Sequence, residues 1–201
     1  MTQPEFNQKE LLERLITVIN DQSFLNKTGL MGEIPFFICP FPPNKLNQMN
    51  DLVQILKNNL EQKGVRVLQI DLYDLAIELL EKRGSLARIL QHEETIAKSD
   101  LYDILIGVLD VENYIKPEIA HRIQASDHNV LFLTGSGQVF PYIRSHKLLN
   151  NLQSVASDRP LVMFFPGEYR HSKSGGTSLD LFGRLHHDKY YRAYNIYHYQ
   201  V

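Results

Sequence analysis

The chain has 201 residues, of which 43% are apolar and 22% charged, and its formal net charge is -2. These values favour one globular domain with a full hydrophobic core and exclude an intrinsically disordered chain. The single cysteine, Cys39, excludes a disulfide framework within the chain, and no apolar run approaches the ~20 residues of a membrane-spanning helix. The start of the chain lacks the pattern of a signal peptide, so we expect a cytoplasmic protein.

Charge is distributed unevenly along the chain. Residues 1–140 carry 13 Lys/Arg and 19 Asp/Glu, whereas residues 141–201 carry 8 and 4, together with five of the eight histidines. A basic C-terminal third can indicate an anionic partner. An excess of four charges falls short of a nucleic-acid footprint, so we expect weak, salt-sensitive DNA binding at most.

The first third of the chain alternates helical and strand patterns. Apolar residues at helical spacing predict an amphipathic helix over 10–19, and the run Ile34–Cys39 predicts a first buried strand. The prolines of 40–43 should end that strand. Asn44 is the expected cap of a second helix, which Gly64 ends.

A long helical region follows the next strand. The run Val65–Ile70 predicts a second strand, and Asp71 can cap the helix after it. The pattern stays helical to about residue 125, with Pro117 in the first turn of the last segment. We therefore predict a helical insertion over about 71–125, before the third strand.

A strand–helix–strand unit occupies the centre of the C-terminal half. An apolar run, Val130–Leu133, leads into a Gly-Ser-Gly turn and a helix of about four turns opened by Pro141, and Leu161–Phe165 predicts the next strand. A crossover of this length makes the two strands parallel. After a polar loop over 170–176, Ser178 is the expected cap of a short helix, and 193–199 predict an aromatic-rich edge strand.

The sum predicts a single α/β domain over 1–201. Its sheet should be mostly parallel, with five strands flanked by helices. The pattern fits a Rossmann-like strand order and a degenerate P-loop-like order equally well.

The motifs argue against nucleotide chemistry. A P-loop needs glycine amides and a lysine after the first strand, but the loop here is Pro40-Phe41-Pro42-Pro43-Asn44-Lys45, in which three prolines remove three amide donors. Gly135 and Gly137 supply two of the three glycines of a dinucleotide fingerprint, and a tight strand-to-helix turn explains them more simply. We expect no nucleotide hydrolysis.

Other catalytic and metal patterns are also incomplete. No serine lies in a nucleophile elbow, and Cys39 lies in an apolar strand, where thiols are usually inert. His186 and His187 are neighbours in a predicted helix, so their side chains would diverge. We expect no catalytic residues, no metal and no cofactor. Arg144 could hold an anion at a helix start or pair with Glu168, and the sequence favours neither.

Polar and aromatic residues gather where the third and fourth strands end. Carboxyl ends of parallel strands meet at one edge of the sheet, and open α/β sheets bind ligands or partners there. Tyrosine and arginine often anchor interfaces. We therefore predict an interaction surface formed by Gly135, Ser136, Gly137, Tyr142, Arg144, His146, Gly167, Glu168 and Tyr169.

Several segments together resemble the BrxB family of BREX (bacteriophage exclusion) systems. They are 35–43, Thr134–His146 (TGSGQVFPYIRSH), Leu161–Tyr169 (LVMFFPGEY), Ser178–Leu185 and Lys189–Ile196. The resemblance covers nearly the whole chain. It implies a cytoplasmic bacterial protein that acts in phage defence with larger BREX components: the PglZ protein, an AAA-type ATPase and a DNA methyltransferase. One departure is the 170–176 loop, which is longer than the family pattern.

We therefore predict a non-catalytic assembly or adaptor subunit that binds a larger BREX component, with PglZ as the first candidate. Two alternatives belong to other classes. One is a nucleotide-sensing or hydrolytic enzyme that uses the 135–146 turn. The other is a nucleic-acid-binding module that uses the basic C-terminal third.

Overall fold

The computed structural model describes residues 6–28, 34–171, 177–183, 185–189 and 193–200. Its helices are α1 (Gln8–Ile19), α2 (Gln22–Leu25), α3 (Leu46–Gln62), α4 (Leu72–Lys82), α5 (Ser85–His92), α6 (Lys98–Val108), α7 (Lys116–Gln124) and α8 (Ser145–Leu152). Its strands are β1 (Phe36–Phe41), β2 (Val67–Asp71), β3 (Val130–Thr134), β4 (Leu161–His171), β5 (Thr177–Leu181), β6 (Leu185–Lys189) and β7 (Tyr194–Asn195). None of the helices in these ranges is long and apolar enough to cross a membrane.

Five parallel strands form the body of the sheet, in the order β2-β3-β4-β1-β7. The predicted fold class, a mostly parallel sheet flanked by helices, is confirmed. Numbered along the chain, these five strands run 2-3-4-1-5. That order differs from the Rossmann order 3-2-1-4-5-6, so the Rossmann-like strand order is excluded.

Two hydrophobic layers cover the sheet because side chains alternate along each strand. In β1, Phe37 and Cys39 face a layer built from α1, α2 and α3, whereas Phe36 and Ile38 face a layer built from α4, α7 and α8. All four side chains are fully buried. The predicted amphipathic N-terminal helix is α1, which packs on α3 in the first of these layers.

An antiparallel hairpin extends the sheet where the sequence predicted a helix. β4 runs beyond the parallel body to His171, and its end pairs antiparallel with β5, which pairs with β6. The predicted helix capped by Ser178 is therefore wrong. Leu179 pairs with Tyr169 and Leu181 with Gly167 across the two strands. His186 and His187 lie on β6, not on a helix.

Other element boundaries also differ from the predictions. β1 continues through Pro40, whose predicted role was to end the strand. The helix expected to open at Pro141 begins at Ser145 and has two turns. Residues 135–144 form an irregular loop instead, in which the Phe140–Pro141 bond is cis. The predicted last strand shortens to β7, followed by a 3-10 turn over Ile196–His198. β7 does form an edge of the parallel body, as predicted.

The predicted helical insertion contains α4 to α7, with a π-helical segment, Val111–Ile115, before α7. Asp71 caps α4 as predicted, because its Oδ1 accepts hydrogen bonds from the amides of Tyr73 (2.9 Å) and Asp74 (3.2 Å). α6 packs differently from the other long helices. Val108 is the one residue of this 11-residue helix that is buried.

Candidate functional site

The carboxyl edge of the sheet is organised by the carboxylate of Asp71 at the end of β2. Its Oδ2 accepts a hydrogen bond from the Thr134 hydroxyl at 2.7 Å, while its Oδ1 caps α4. The next residue, Gly135, has φ +76°, and a Cβ there would lie 2.6 Å from Asp71 Oδ1. The first glycine of the Gly-Ser-Gly turn is therefore required by the turn and by its contact with Asp71.

The turn after β3 also packs closely on the end of β4. Ser136 is buried and donates a hydrogen bond to the carbonyl of Phe164 at 3.3 Å. A Cβ at Gly137 would lie 2.7 Å from Pro166 Cγ. The prediction that the Gly135–His146 segment and the end of the fourth strand lie side by side is confirmed, since β3 and β4 are parallel neighbours.

The predicted surface residues divide into accessible and buried groups. Arg144 is exposed at the start of α8, and Gly135, Gly137, Tyr142, His146 and Glu168 are partly exposed. Ser136, Gly167 and Tyr169 are buried.

Two of the buried residues have structural contacts that the sequence did not reveal. Tyr169 is 5% exposed, and its hydroxyl donates a hydrogen bond to the carbonyl of Ala193 at 2.5 Å. Tyr169 is therefore not accessible as a contact residue in this structure, and its hydroxyl ties the end of β4 to the segment before β7. A Cβ at Gly167 would lie 2.3 Å from the Asp180 carbonyl oxygen, so this glycine permits the pairing of β4 with β5.

A pocket of about 240 Å³ opens at this edge. Its walls come from four separate parts of the chain: the loop after β1 with the first half of α3, the turn after β3, the end of β4, and the turn between β5 and β6. The lining residues are Phe41, Pro43, Leu46, Met49, Asn50, Val53, Thr134, Gly135, Ser136, Gly137, Gln138, Phe164, Pro166 and Phe182.

The pocket lies at a topological switch point. From β1 the chain crosses over through α3 on one face of the sheet, and from β3 it crosses through α8 on the other face. Loops that leave toward opposite faces of the sheet open a crevice between them at the carboxyl edge, and such a crevice is the usual ligand position in open α/β sheets. We name it the switch-point pocket.

The switch-point pocket is mostly apolar, and its polar lining side chains, from Asn50, Thr134, Ser136 and Gln138, are uncharged. None of its described lining residues is acidic, basic or histidine. The loop after β1 contributes Pro43, which has no amide proton to donate to a phosphate. Across the described part of the chain, no group of three or more His, Cys, Asp or Glu is placed to hold a metal ion. The pocket thus suits a neutral group better than a phosphate or a cation.

The one cysteine lies outside this pocket and is chemically quiet. Cys39 is fully buried in β1, and burial raises the pKa of its thiol to about 12. The thiolate that nucleophilic chemistry requires is therefore scarce at neutral pH. This agrees with the interpretation of Cys39 as a core residue.

The sequence did not reveal the walls of the pocket contributed by α3 and Phe182. The α3 residues form one apolar stripe, and such a stripe normally indicates core packing. Phe182 carried a detectable signal, because Phe-Gly after the alternating pattern of 177–181 is compatible with a hairpin turn. The sequence predicted a helix for that segment, so this hairpin signal was not recognised.

The fold and the pocket define an α/β domain with an open parallel sheet, a switch-point pocket and a proline-containing loop where P-loop proteins bind phosphate. No solved structure matches the chain. The family model described as "BREX protein BrxB" matches residues 68–196.

Two similar proteins each carry the name "BREX protein BrxB". One, from Bacillus cereus (strain H3081.97), is 33% identical over 191 residues, which cover 93% of this chain and 96% of that protein. The other, from Escherichia coli O9:H4 (strain HS), is 29% identical over 185 residues, covering 92% and 89%. This chain therefore belongs to the BrxB family of BREX proteins, and the resemblance seen in the sequence is confirmed.

Proposed function

We propose that this protein is a non-catalytic assembly subunit of a BREX phage-defence complex and that it binds a larger component of that complex. PglZ is the first candidate partner, and the AAA-type ATPase and the DNA methyltransferase follow. Membership in the BrxB family supports a role in a BREX system, and the exposed surface of the helical insertion supports the protein-binding role.

The observation that carries the proposal is the exposure of α6. Three of its large apolar side chains, Tyr102, Ile104 and Ile106, are between 36% and 39% exposed. Neighbouring Leu101 and Leu105 are only partly covered. Tyr102 and Ile106 lie on the same side of the helix as Leu101 and Leu105, because positions 105 and 106 follow positions 101 and 102 by about one helical turn. A contiguous exposed apolar area of this kind marks interaction sites on soluble proteins, because apolar groups left in water forgo hydrophobic stabilisation.

The exposed side of α6 adjoins the carboxyl edge of the sheet. The ring of Tyr102 contacts the ring of Tyr142, with 5.8 Å between their centroids. Tyr142 lies in the loop after β3, which belongs to the predicted interaction surface. We define Tyr102, Ile106 and Tyr142 as the α6 face, because Tyr102 and Ile106 are four residues apart on one side of the helix, whereas Ile104 points to the other side. Its continuity with the carboxyl edge favours one extended contact area.

Charge around the α6 face suggests the character of the partner. Asp100 and Asp103 are exposed on the same helix, and Glu93 and Glu94 are exposed just before it. Against these four acidic groups, the segment from 93 to 108 contains one basic residue, Lys98. An apolar contact area with a mostly acidic border is complementary to an apolar area with basic groups around it. We expect such a surface on the partner.

The non-catalytic part of the proposal rests on the chemistry of the switch-point pocket. Its described lining supplies no general acid or base, no charged group for a phosphate and no activated nucleophile. Purified protein should therefore hydrolyse neither ATP nor GTP above a mock preparation. Turnover that is lost in Arg144→Ala would contradict this and would favour the enzyme alternative.

The protein-binding role is tested by placing a charge on the α6 face. Ile106→Asp should abolish co-purification of PglZ and phage protection, because a carboxylate cannot be buried in an apolar contact without a partner. Ile55→Asp is the matched control: Ile55 is 44% exposed on α3, in the opposite layer. Neither variant should change the melting temperature by more than a few degrees, since both side chains are exposed.

The comparison of the two variants decides the outcome. Loss of PglZ binding in Ile106→Asp with retention in Ile55→Asp supports the α6 face as the contact area. Equal PglZ binding and equal phage protection by both variants would contradict it.

A further inference from the structure

We infer that the switch-point pocket receives one large uncharged side chain of the partner protein and that Phe182 is a contact residue for it. This inference rests on the proposed assembly function and identifies what the carboxyl edge recognises. Pocket size, lining chemistry and the backbone conformation of Phe182 support it independently.

The volume of the pocket fits a single side chain. At about 240 Å³, it is smaller than the ~300–1,000 Å³ typical of sites for drug-sized ligands. Apolar walls from α3, β4 and the β5–β6 turn suit an aromatic or large aliphatic group. Such anchors in fully desolvated pockets provide much of the affinity of protein interfaces.

The polar groups at the pocket suit a polypeptide. Asn50 and Gln138 are exposed lining residues, and each carries an amide side chain that can both donate and accept a hydrogen bond. A peptide backbone offers the same pair of groups. With no charged group in the described lining, the pocket discriminates against carboxylate, ammonium and phosphate groups.

Phe182 adopts a backbone conformation that a bulky residue avoids. Its φ is +56°, and Gly183 follows with φ +66°. Glycine or asparagine normally occupies such hairpin positions, because a bulky side chain is strained there. The conformation is fixed by hydrogen bonds, since the Phe182 amide donates to the Pro166 carbonyl at 2.9 Å and the Gly183 amide donates to the Asp180 carbonyl at 3.0 Å.

The Phe182 ring is only partly buried, so its burial offsets little of this backbone strain. It is 40% exposed and lies in the pocket wall, against the turn that contains Gly137. Strained residues that persist at clefts are typical of functional sites. A contact with the partner's side chain would cover the exposed part of the ring and account for a phenylalanine at this position.

The variant Phe182→Gly separates this role from a structural one. Glycine relieves the strain, so the melting temperature should stay within about 3 °C of the parent, because the lost ring contacts and the relieved strain oppose each other. Affinity for purified PglZ should nevertheless fall at least about tenfold, as expected for a hot-spot residue. Ile55→Ala, which removes an equally exposed apolar side chain elsewhere, should leave the affinity unchanged.

A small probe tests the pocket without the partner. N-acetyl-L-tryptophanamide and N-acetyl-L-leucinamide should shift the methyl NMR signals of Met49 and Val53, whereas ATP should not. The shifts should be lost in Leu46→Trp, which fills the pocket from its half-buried wall.

The two experiments distinguish a failure of the pocket inference from a failure of the proposed PglZ partnership. PglZ binding that is unchanged in Phe182→Gly overturns the inference and leaves the assembly function intact. Probe shifts that depend on the pocket, without any PglZ binding, contradict PglZ as the partner and retain a pocket for an uncharged side chain. A melting temperature of Phe182→Gly that falls by about 6 °C or more, in parallel with binding, would make Phe182 a structural brace and refute its contact role.

Discussion

Replacement of Gly135 by alanine tests how the carboxyl edge is built. Gly135 has φ +76°, and a Cβ would lie 2.6 Å from Oδ1 and 2.9 Å from Oδ2 of Asp71. The added methyl group would force the carboxylate to turn away. The carboxylate would then lose both its cap of α4 and its hydrogen bond from Thr134.

The cost can be worked out term by term. Left-handed backbone costs a non-glycine residue about 1–2 kcal/mol. A lost side-chain cap costs about 1 kcal/mol, and a lost hydrogen bond to a charged group costs about 1.5–3 kcal/mol. We expect Gly135→Ala to lower the free energy of unfolding by about 3.5–6 kcal/mol in total.

Gly64→Ala is the matched control. Gly64 has φ +82°, but among the described residues no atom lies within 4 Å of a Cβ at that position. It should therefore cost only the backbone strain, about 1–2 kcal/mol. Urea unfolding followed by circular dichroism measures both values.

A double variant isolates the contact with Asp71. In an Asp71→Ala background, Gly135→Ala should cost no more than Gly64→Ala does in the parent, because the clashing carboxylate is gone. Equal costs of Gly135→Ala and Gly64→Ala in the parent would refute the reasoning.

Three further predictions concern the structural contacts around the site. Tyr169→Phe should lower the free energy of unfolding by about 1–3 kcal/mol, because the Ala193 carbonyl loses the hydrogen bond from the Tyr169 hydroxyl. The affinity for PglZ should not change. A binding defect without destabilisation would contradict a structural role for Tyr169. Burial lowers the pKa of His128 below its usual 6.5, so its neutral form is favoured in the folded state. The free energy of unfolding should therefore fall as the pH drops below about 6.5. Urea titrations between pH 7 and 5 measure this pH dependence, and His128→Leu should make it weaker. An unchanged pH dependence would contradict the role of His128. The Arg14 guanidinium donates hydrogen bonds to the carbonyls of Tyr197 (2.7 Å) and Tyr199 (2.9 Å). Arg14→Met should therefore lower the free energy of unfolding by about 1 kcal/mol and speed the release of the C-terminal residues by carboxypeptidase. Stability and digestion rates equal to those of the parent would contradict this.

Local signals were sufficient to predict most of the parallel body of the sheet. β2, β3 and the start of β4 are short apolar runs, and the Asp71 cap and Pro117 mark the starts of α4 and α7. The periodicity of α3 is equally clear, because its buried residues recur at helical spacing: Met49, Leu52, Val53, Leu56 and Leu60. These features depend on neighbouring residues, so a single sequence contains them.

The missed features depend on contacts between distant segments. Leu179 and Leu181 form a strand because the end of β4 offers an antiparallel partner, and this pairing cannot be read from the local pattern. The buried position of Tyr169 depends on Ala193, 24 residues later. The switch-point pocket combines parts of the chain between Phe41 and Phe182, so its existence could not be predicted before the strand order was known.

The central claim, assembly with a larger BREX component, is tested most directly by sedimentation velocity of the purified protein mixed with purified PglZ. We expect one faster-sedimenting species that contains both proteins at micromolar concentrations, and Ile106→Asp should restore two separate boundaries. Separate boundaries for the parent protein with PglZ, with the ATPase and with the methyltransferase would contradict the assembly role.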